Sequence, residues 1–315
     1  MKIVVTHHSP DWDAITSVWL IKRFLPGWEE ASVEFVPAGS RLKNQPYAGN
    51  GDPIEAFGSD QVMHVDTGLG PLDHHQTQDQ NVCGASLTLD FVKQVQNSNL
   101  KTQNNNSKLK AEDVHSHRWL HREEAMERIV KVVVDIDHFG EVFWDNPTAD
   151  YHEFSLLGVL EGLKLTKPDE NMYYMDVGMT LLDAMLHNFV NRIWAEKEIE
   201  HNGIAFKTRW GKGIGFATIN DSVLALAQKM GYVVVLRKDP RKGYIRIKAR
   251  PEAKSPKENG IDLTLVHEKL KKMDPQATWF LHVSKKMLLN GTVKNPKMVP
   301  TKLSLEEIIK VVEGV

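Results

Sequence analysis

The β-branched run Ile3-Val4-Val5 leads directly into Thr6-His7-His8-Ser9-Pro10-Asp11-Trp12-Asp13. A strand without polar alternation has to be covered on both faces, as a parallel strand in an α/β sheet is. Trp19, Leu20, Phe24 and Leu25 then recur at helical spacing. The segment between is a strand-to-helix loop, the place where open α/β sheets hold their ligands. The imidazole of His7 and the carboxylates of Asp11 and Asp13 crowd into seven residues there. Carboxylates so close repel one another unless a cation sits among them. A metal site is therefore the first expectation.

The rest of the chain is read around that loop. Residues 1 to about 95 alternate strand-like and helical patterns, with further strands at 33–37 and 61–66, and a helix starts near Ala85. This predicts an α/β fold whose N-terminal sheet is mostly parallel and flanked by helices. Asn97 to Lys110 is almost devoid of apolar residues and reads as a mobile surface loop. Helical patterns follow over 111–136 and 172–200, with one more between them. His115, His117 and His121 read as exposed residues at the start of the first of these. The last third reads as α+β, with strands at 204–209, 215–219, 232–237 and 244–249 and helices at 222–230, 262–272 and 304–312. The division expected is a metal-binding domain over 1–165, a helical connector over 166–202 and a smaller α+β domain over 203–315.

Charge follows the same division. Residues 201–315 carry 22 Lys and Arg against 10 Asp and Glu, whereas the first 200 carry 17 against 31. An acidic half suited to cations precedes a basic half suited to an anion. Cys83 is the only cysteine, which excludes an internal disulfide and thiolate-built zinc sites. No apolar run approaches the roughly 18 residues of a membrane span, and a cytoplasmic setting is the default expectation.

Two more clusters carry chemistry. Asp66 ends an apolar strand and is followed, beyond a Gly/Pro turn, by Asp73-His74-His75. Adjacent imidazoles on an extended chain point to opposite sides. One can bind a metal while the other meets substrate, with Asp73 orienting a ring. Asp135 and Asp137 end the apolar segment before Phe139-Gly140. Both are candidate ligands, with Asp137 slightly favoured for its place beside the turn. His8 and His64 read as structural neighbours.

His7-x-x-Pro10-Asp11-x-Asp13, the isolated Asp66, the Asp73-His74-His75 triplet and a later Asp together resemble the motifs of the DHH phosphoesterase superfamily. The His-His-Gln run and a helix-borne fourth Asp are most similar to its Myg-type branch. The resemblance implies two divalent ions, usually Mn²⁺. His7 and Asp11 would hold one ion, Asp13 and His74 the other, and Asp66 would bridge them. It also implies that a water activated by both metals attacks phosphorus, with His75 near the phosphoryl oxygens and the nearest candidate to protonate the leaving group. The last third resembles the superfamily's associated substrate-binding domain in divergent form. Arg250, His282, Ser284, Lys285, Asn290 and Gly291 are the substrate-contact candidates there, although Trp279-Phe280-Leu281 stands where relatives carry glycines.

The activity this implies is a metal-dependent hydrolase of phosphodiester bonds, with the site in the cleft between the two domains. Its expected substrate is the end of a short single-stranded oligonucleotide. Pyrophosphate or a cyclic dinucleotide is the alternative substrate, and a nucleic-acid-binding protein with a structural metal is the alternative class. Oligomeric state is open, a homodimer included.

Overall fold

The computed structural model describes residues 1–47, 49–104, 114–251, 260–292 and 294–315, and no side chain between 99 and 120. The chain divides into two compact units, Met1–Val190 and Asn191–Val315.

In the first unit β1 (Lys2–His7) leads into α1 (Trp12–Phe24), followed by β2 (Ser32–Val36), β3 (Glu55–Phe57) and β4 (Asp60–His64). The strand order is β2-β1-β4-β3, with β1 parallel to both neighbours and β3 antiparallel at the edge. The sheet is therefore mixed; three of its strands carry the parallel arrangement expected, and the short β3 was not foreseen. The chain passes from β1 to one side and later returns on the other, so the β1/β4 junction is a topological switch point. The loops after β1 and β4 both emerge at that edge.

Helices α2 (Gly84–Asn104), α3 (Val114–Asp137), α4 (Asp150–Glu153), α5 (Leu156–Thr166) and α6 (Asn171–His201) follow. The polar stretch from Asn97 read as a loop is helical through Asn104; residues 105–110 and the side chains of His115 and His117 lie outside the described residues. Asn, Gln and Lys on the end of a helix already nucleated by Ala85, Leu89 and Val92 continue it, because propagation is much easier than nucleation. Helix α1 is buried almost all round, with Ile15, Val18, Trp19, Leu20 and Ile21 sealed from solvent. Gly178 of α6 permits that enclosure: a Cβ there would lie 2.7 Å from Cγ2 of Ile15. A central helix walled in on all sides has little freedom to tilt, which keeps the Asp11–Asp13 turn at its N-terminus in place.

The boundary between the units falls within α6, so the segment read as a connector is one continuous helix that belongs partly to each unit.

The second unit is a six-stranded sheet ordered β5-β6-β7-β8-β10-β9. Its strands are β5 (Ile204–Thr208), β6 (Gly211–Ala217), β7 (Val234–Lys238), β8 (Ile245–Ala249), β9 (Trp279–Leu281) and β10 (Met287–Asn290), with α7 (Ser222–Lys229), α8 (Thr264–Met273) and α9 (Leu305–Glu313). Only β6 and β7 pair in parallel. Alternation along β8 buries Ile245, Ile247 and Ala249 in the core shared with α8 and α9, and leaves Arg246 and Lys248 on the opposite face. Helix α9 starts with a reciprocal Ser304–Glu307 capping box. No helix among the described residues is long and apolar enough to cross a membrane.

Candidate metal centre

His7 ends β1, and the β1/β4 register carried on from Val5–His64 sets it opposite Asp66. His7 Nδ1 donates to the His8 carbonyl at 2.8 Å, since that oxygen can only accept. Nε2 therefore faces Asp66 Oδ2 at 3.1 Å and Asp11 Oδ2 at 3.7 Å. Asp11 is the N-cap of α1: its Oδ1 accepts from the Ala14 amide at 3.0 Å, which leaves Oδ2 for His7. Between them Ser9 adopts φ +53°, and its amide donates to Asn171 at the start of α6. His8 also meets Asn171, which keeps its ring out of the cluster.

Asp13, one turn into α1, is buried. Its two oxygens accept from the Gly84 amide at 2.7 Å and the Ala85 amide at 2.5 Å. The carboxylate thus sits on the positive end of α2, where free amides and the helix dipole favour an anion. Gly84 is required by this approach: a Cβ would lie 2.9 Å from Asp66 Cβ and 3.0 Å from Asp13 Oδ2. Gly84→Ala is expected to cost about 1–3 kcal/mol of stability through overpacking. It should also weaken divalent-cation binding at least tenfold, measured by calorimetric titration beside a thermal melt.

Asp66 is only 2 % exposed and sits at φ +50°, with its amide donating to Leu72. The left-handed backbone of this non-glycine residue is a local strain that the surrounding bonds hold in place. Arg41 supports the same loop by donating to the Gly68 carbonyl at 2.7 Å and pairing with Glu55. His64 lies in that support and accepts from the Leu42 amide. Burial, then the Arg41 charge, lowers its pKa to about 4, so it stays neutral and structural as the sequence suggested.

His74 brings the second group together. Its Nε2 lies 3.4 Å from Asp137 Oδ2, 3.6 Å from Asp66 Oδ1 and 3.7 Å from Asp13 Oδ2. His74 Nε2, Asp66 Oδ1 and Asp137 Oδ2 are all buried without a hydrogen-bond partner. Buried polar atoms in folded proteins are almost always paired, and three orphans converging on one point need a shared partner. Imidazole nitrogen and carboxylate oxygen are suitable donors for a divalent transition-metal ion such as Mn²⁺. Asp66 turns Oδ2 to the His7–Asp11 group and Oδ1 to the His74–Asp137 group, so the two share one carboxylate.

His75 differs from its neighbour. Its Nδ1 donates to Asp73 Oδ1 at 2.6 Å, and the side chain is 55 % exposed. Asp73 is buried and is held in turn by the Leu69 amide at 2.7 Å. The aspartate therefore orients the exposed imidazole, fixing its proton on Nδ1, while His74 turns inward.

Asp135 does not join the cluster. Its Oδ2 accepts from Trp144 Nε1 at 2.6 Å, on another face of α3 from Asp137. Two residues apart on a helix are turned by about 200°, so only one of the pair can face the site. His138, not singled out from the sequence, lies near His74 and donates its Nε2 hydrogen to the Val82 carbonyl at 3.0 Å. Sequence reasoning also missed the Gly84 and Ala85 amides, because a backbone donor has no residue signature.

Electrostatics express the crowding. Burial raises Asp13 well above the usual carboxylate range, and Asp66, Asp11 and Asp137 add to it. Asp137 is raised by burial as well, against the opposing pull of His74. Burial opposes protonation of His7, but Asp66, Asp11 and the His8 carbonyl outweigh it and lift the ring to about 9. His74 is raised to about 9 too, chiefly by Asp66. Without a cation the cluster holds protons in its place. The Cys83 thiol beside Asp13 is pushed up by burial and by that carboxylate, and is no thiolate ligand.

The substrate-contact candidates of the second unit are placed unevenly. Arg250 is exposed at the end of β8. His282 and Ser284 bond one another at 2.8 Å in the β9–β10 turn, and Lys285 pairs with Asp262 at 3.0 Å. Asn290 and Gly291 are structural. Asn290 donates to the Thr278 and Val299 carbonyls at 2.9 Å each and accepts from the Thr301 amide at 2.6 Å. Gly291 is buried at φ +89°, where a Cβ would strike the Tyr244 ring. Neither is free for a ligand, and Asn290→Ala should destabilise the second unit by about 2–4 kcal/mol by stranding buried backbone groups. Denaturant unfolding measures that loss, with cation binding expected to be unchanged.

Compared with known proteins, the chain matches no family model and no curated relative.

Proposed function

We propose that the chain is a metal-dependent phosphoesterase of the DHH type that hydrolyses phosphodiester bonds, working from the end of a short single-stranded oligonucleotide. The observation that supports it most is the pair of ligand groups sharing Asp66, one of them built around three orphaned buried atoms. His7, Asp11 and Asp66 would hold one divalent ion, and Asp13, Asp66, His74 and Asp137 the other, with Mn²⁺ the ion that the mixed donors suit.

When bound, the cations would lower the pKa of water and offset the charge that builds on the phosphoryl oxygens. The remaining roles belong to the chain. Asp13 is held ionised by two amides, so its position does not depend on the ligand it meets. His75, with its proton fixed on Nδ1 by Asp73, presents a half-exposed ring whose other nitrogen can give a proton to the leaving oxygen. The basic balance of residues 201–315 offers a surface for a polyanion, with Arg250 its exposed guanidinium.

Labelled RNA and DNA pentamers, incubated with and without Mn²⁺, test the reading. Asp137→Asn is the control, since Oδ2 of that side chain makes no hydrogen bond whose loss would disturb the fold. Mn²⁺-dependent stepwise shortening, absent in the variant, supports it. Intact pentamers with cleaved pyrophosphate or cyclic dinucleotide would move the substrate to that class. Oligomer binding without any turnover would make the chain a binding protein, and absence of both hydrolysis and metal binding would overturn the proposal.

A further inference from the structure

Beside the ligand cluster the first unit holds a cavity of about 190 Å³, with walls from four elements: Trp12 of α1, Val133 and Ile136 of α3, Leu157 of α5 and Phe189 of α6. Its lining is almost wholly apolar. An empty apolar cavity of about 150 Å³ takes up benzene, so this one is large enough for a planar ring system. Val132 at its rim is exposed, which gives the cavity a mouth.

Two observations distinguish it from a packing fault. The first is Trp12, 5 % exposed, whose Nε1–H is buried without a hydrogen-bond partner. Indole N–H groups find an acceptor when buried, and leaving one unpaired costs free energy. The other tryptophan at this cavity, Trp144, has its acceptor in Asp135. The second is position. Trp12 stands between Asp11 and Asp13, and Ile136 directly precedes Asp137. The turns that present carboxylates to the cluster thus present apolar groups to the cavity.

A group bound here would be flat, apolar on its faces, and equipped with an in-plane acceptor for one N–H. We infer that this cavity is a nucleobase subsite, in which the base next to the scissile phosphate is enclosed by apolar side chains and accepts from Trp12 Nε1. The inference rests on the phosphoesterase reading and narrows it: pyrophosphate has nothing to place there, whereas a nucleotide has. Specificity among bases is low in such a pocket, because a single donor meets a carbonyl or ring nitrogen on each of them.

The test uses the full chain and two variants, Trp12→Phe, which keeps a ring and removes the donor, and Leu157→Trp, which fills the space. Wild-type protein is expected to show a KM for a dinucleotide about tenfold below that for its abasic analogue. Both variants should abolish that difference by raising the KM of the base-containing substrate, with kcat for the abasic analogue unchanged in Leu157→Trp. Equal KM values for the two substrates in the wild type, or a ratio that neither variant alters, would overturn the subsite. Adenosine and uridine binding to metal-free protein, followed by saturation-transfer NMR, separates this from the reading beneath it. A nucleoside signal that is present in the wild type and disappears in Leu157→Trp supports the cavity even if no phosphodiester is hydrolysed, the result that would sink the phosphoesterase reading alone. Absence of nucleoside binding in the wild type overturns the subsite.

Discussion

Asp66→Asn is expected to abolish Mn²⁺-dependent hydrolysis, by at least a thousandfold in kcat/KM, while the chain remains folded. Asp66 is the one carboxylate directed at both ligand groups, with Oδ2 at 3.1 Å from His7 Nε2 and Oδ1 at 3.6 Å from His74 Nε2. An amide keeps the shape and the backbone bond to Leu72, but replaces one of the two anionic oxygens by a donor. A donor facing a cation repels it, so one position loses a ligand and the other gains an opposing dipole. Calorimetric titration should show stoichiometry reduced from two Mn²⁺ to one or none. Retention of two tightly bound ions in the variant would show that the groups are independent and that Asp66 does not bridge them.

Metal-free protein should become less stable as pH rises from 6.5 to 9, with Mn²⁺ reversing the trend. His7 and His74 have folded-state values of about 9 against an ordinary 6.5. A group with a raised folded value binds more protons folded than unfolded. Its stabilisation is therefore complete below pH 6.5 and is lost as pH climbs through 9. Asp13 and Asp137 are raised as well, so their ionisation acts in the same direction at lower pH. Both imidazoles are largely buried, and a contribution on the order of 2 kcal/mol each is consistent with shifts of this size. The first unit's melting temperature should then fall by roughly 5–10 °C across the interval. Binding of a divalent ion displaces those protons, so saturating Mn²⁺ should raise the melting temperature more at pH 8.5 than at pH 6.5. A flat or rising profile in the metal-free protein would contradict the buried His–Asp contacts.

These two expectations have different histories. That His7, Asp11, Asp13, Asp66 and His74 belong together was legible in the chain, because carboxylates and imidazoles repeatedly follow apolar strand-like runs. That Asp66 divides its oxygens between two groups was not legible. It depends on the left-handed backbone at Asp66 and on the turn that brings His74 back beneath it. The choice between Asp135 and Asp137 was undecidable from spacing, since each precedes the same turn. The packing of α3 decided it by sending one side chain to the cluster and the other to Trp144. In the second unit, Asn290 and Gly291 looked like ligand residues because polarity and flexibility are also what a tightly packed turn requires.

The sequence by itself determined the strand-loop-helix entry, the mixture of helix and strand in both halves, and the concentration of acidic and imidazole groups in the first. These are consequences of periodicity and charge, which act between near neighbours and can be read in order. Tertiary structure alone decided which atoms of those residues lack a partner, which amides hold Asp13, and that Trp12 turns an unpaired N–H beside a cavity. Those properties depend on what distant segments bring to a residue, and burial makes each unmet bond costly enough to be informative.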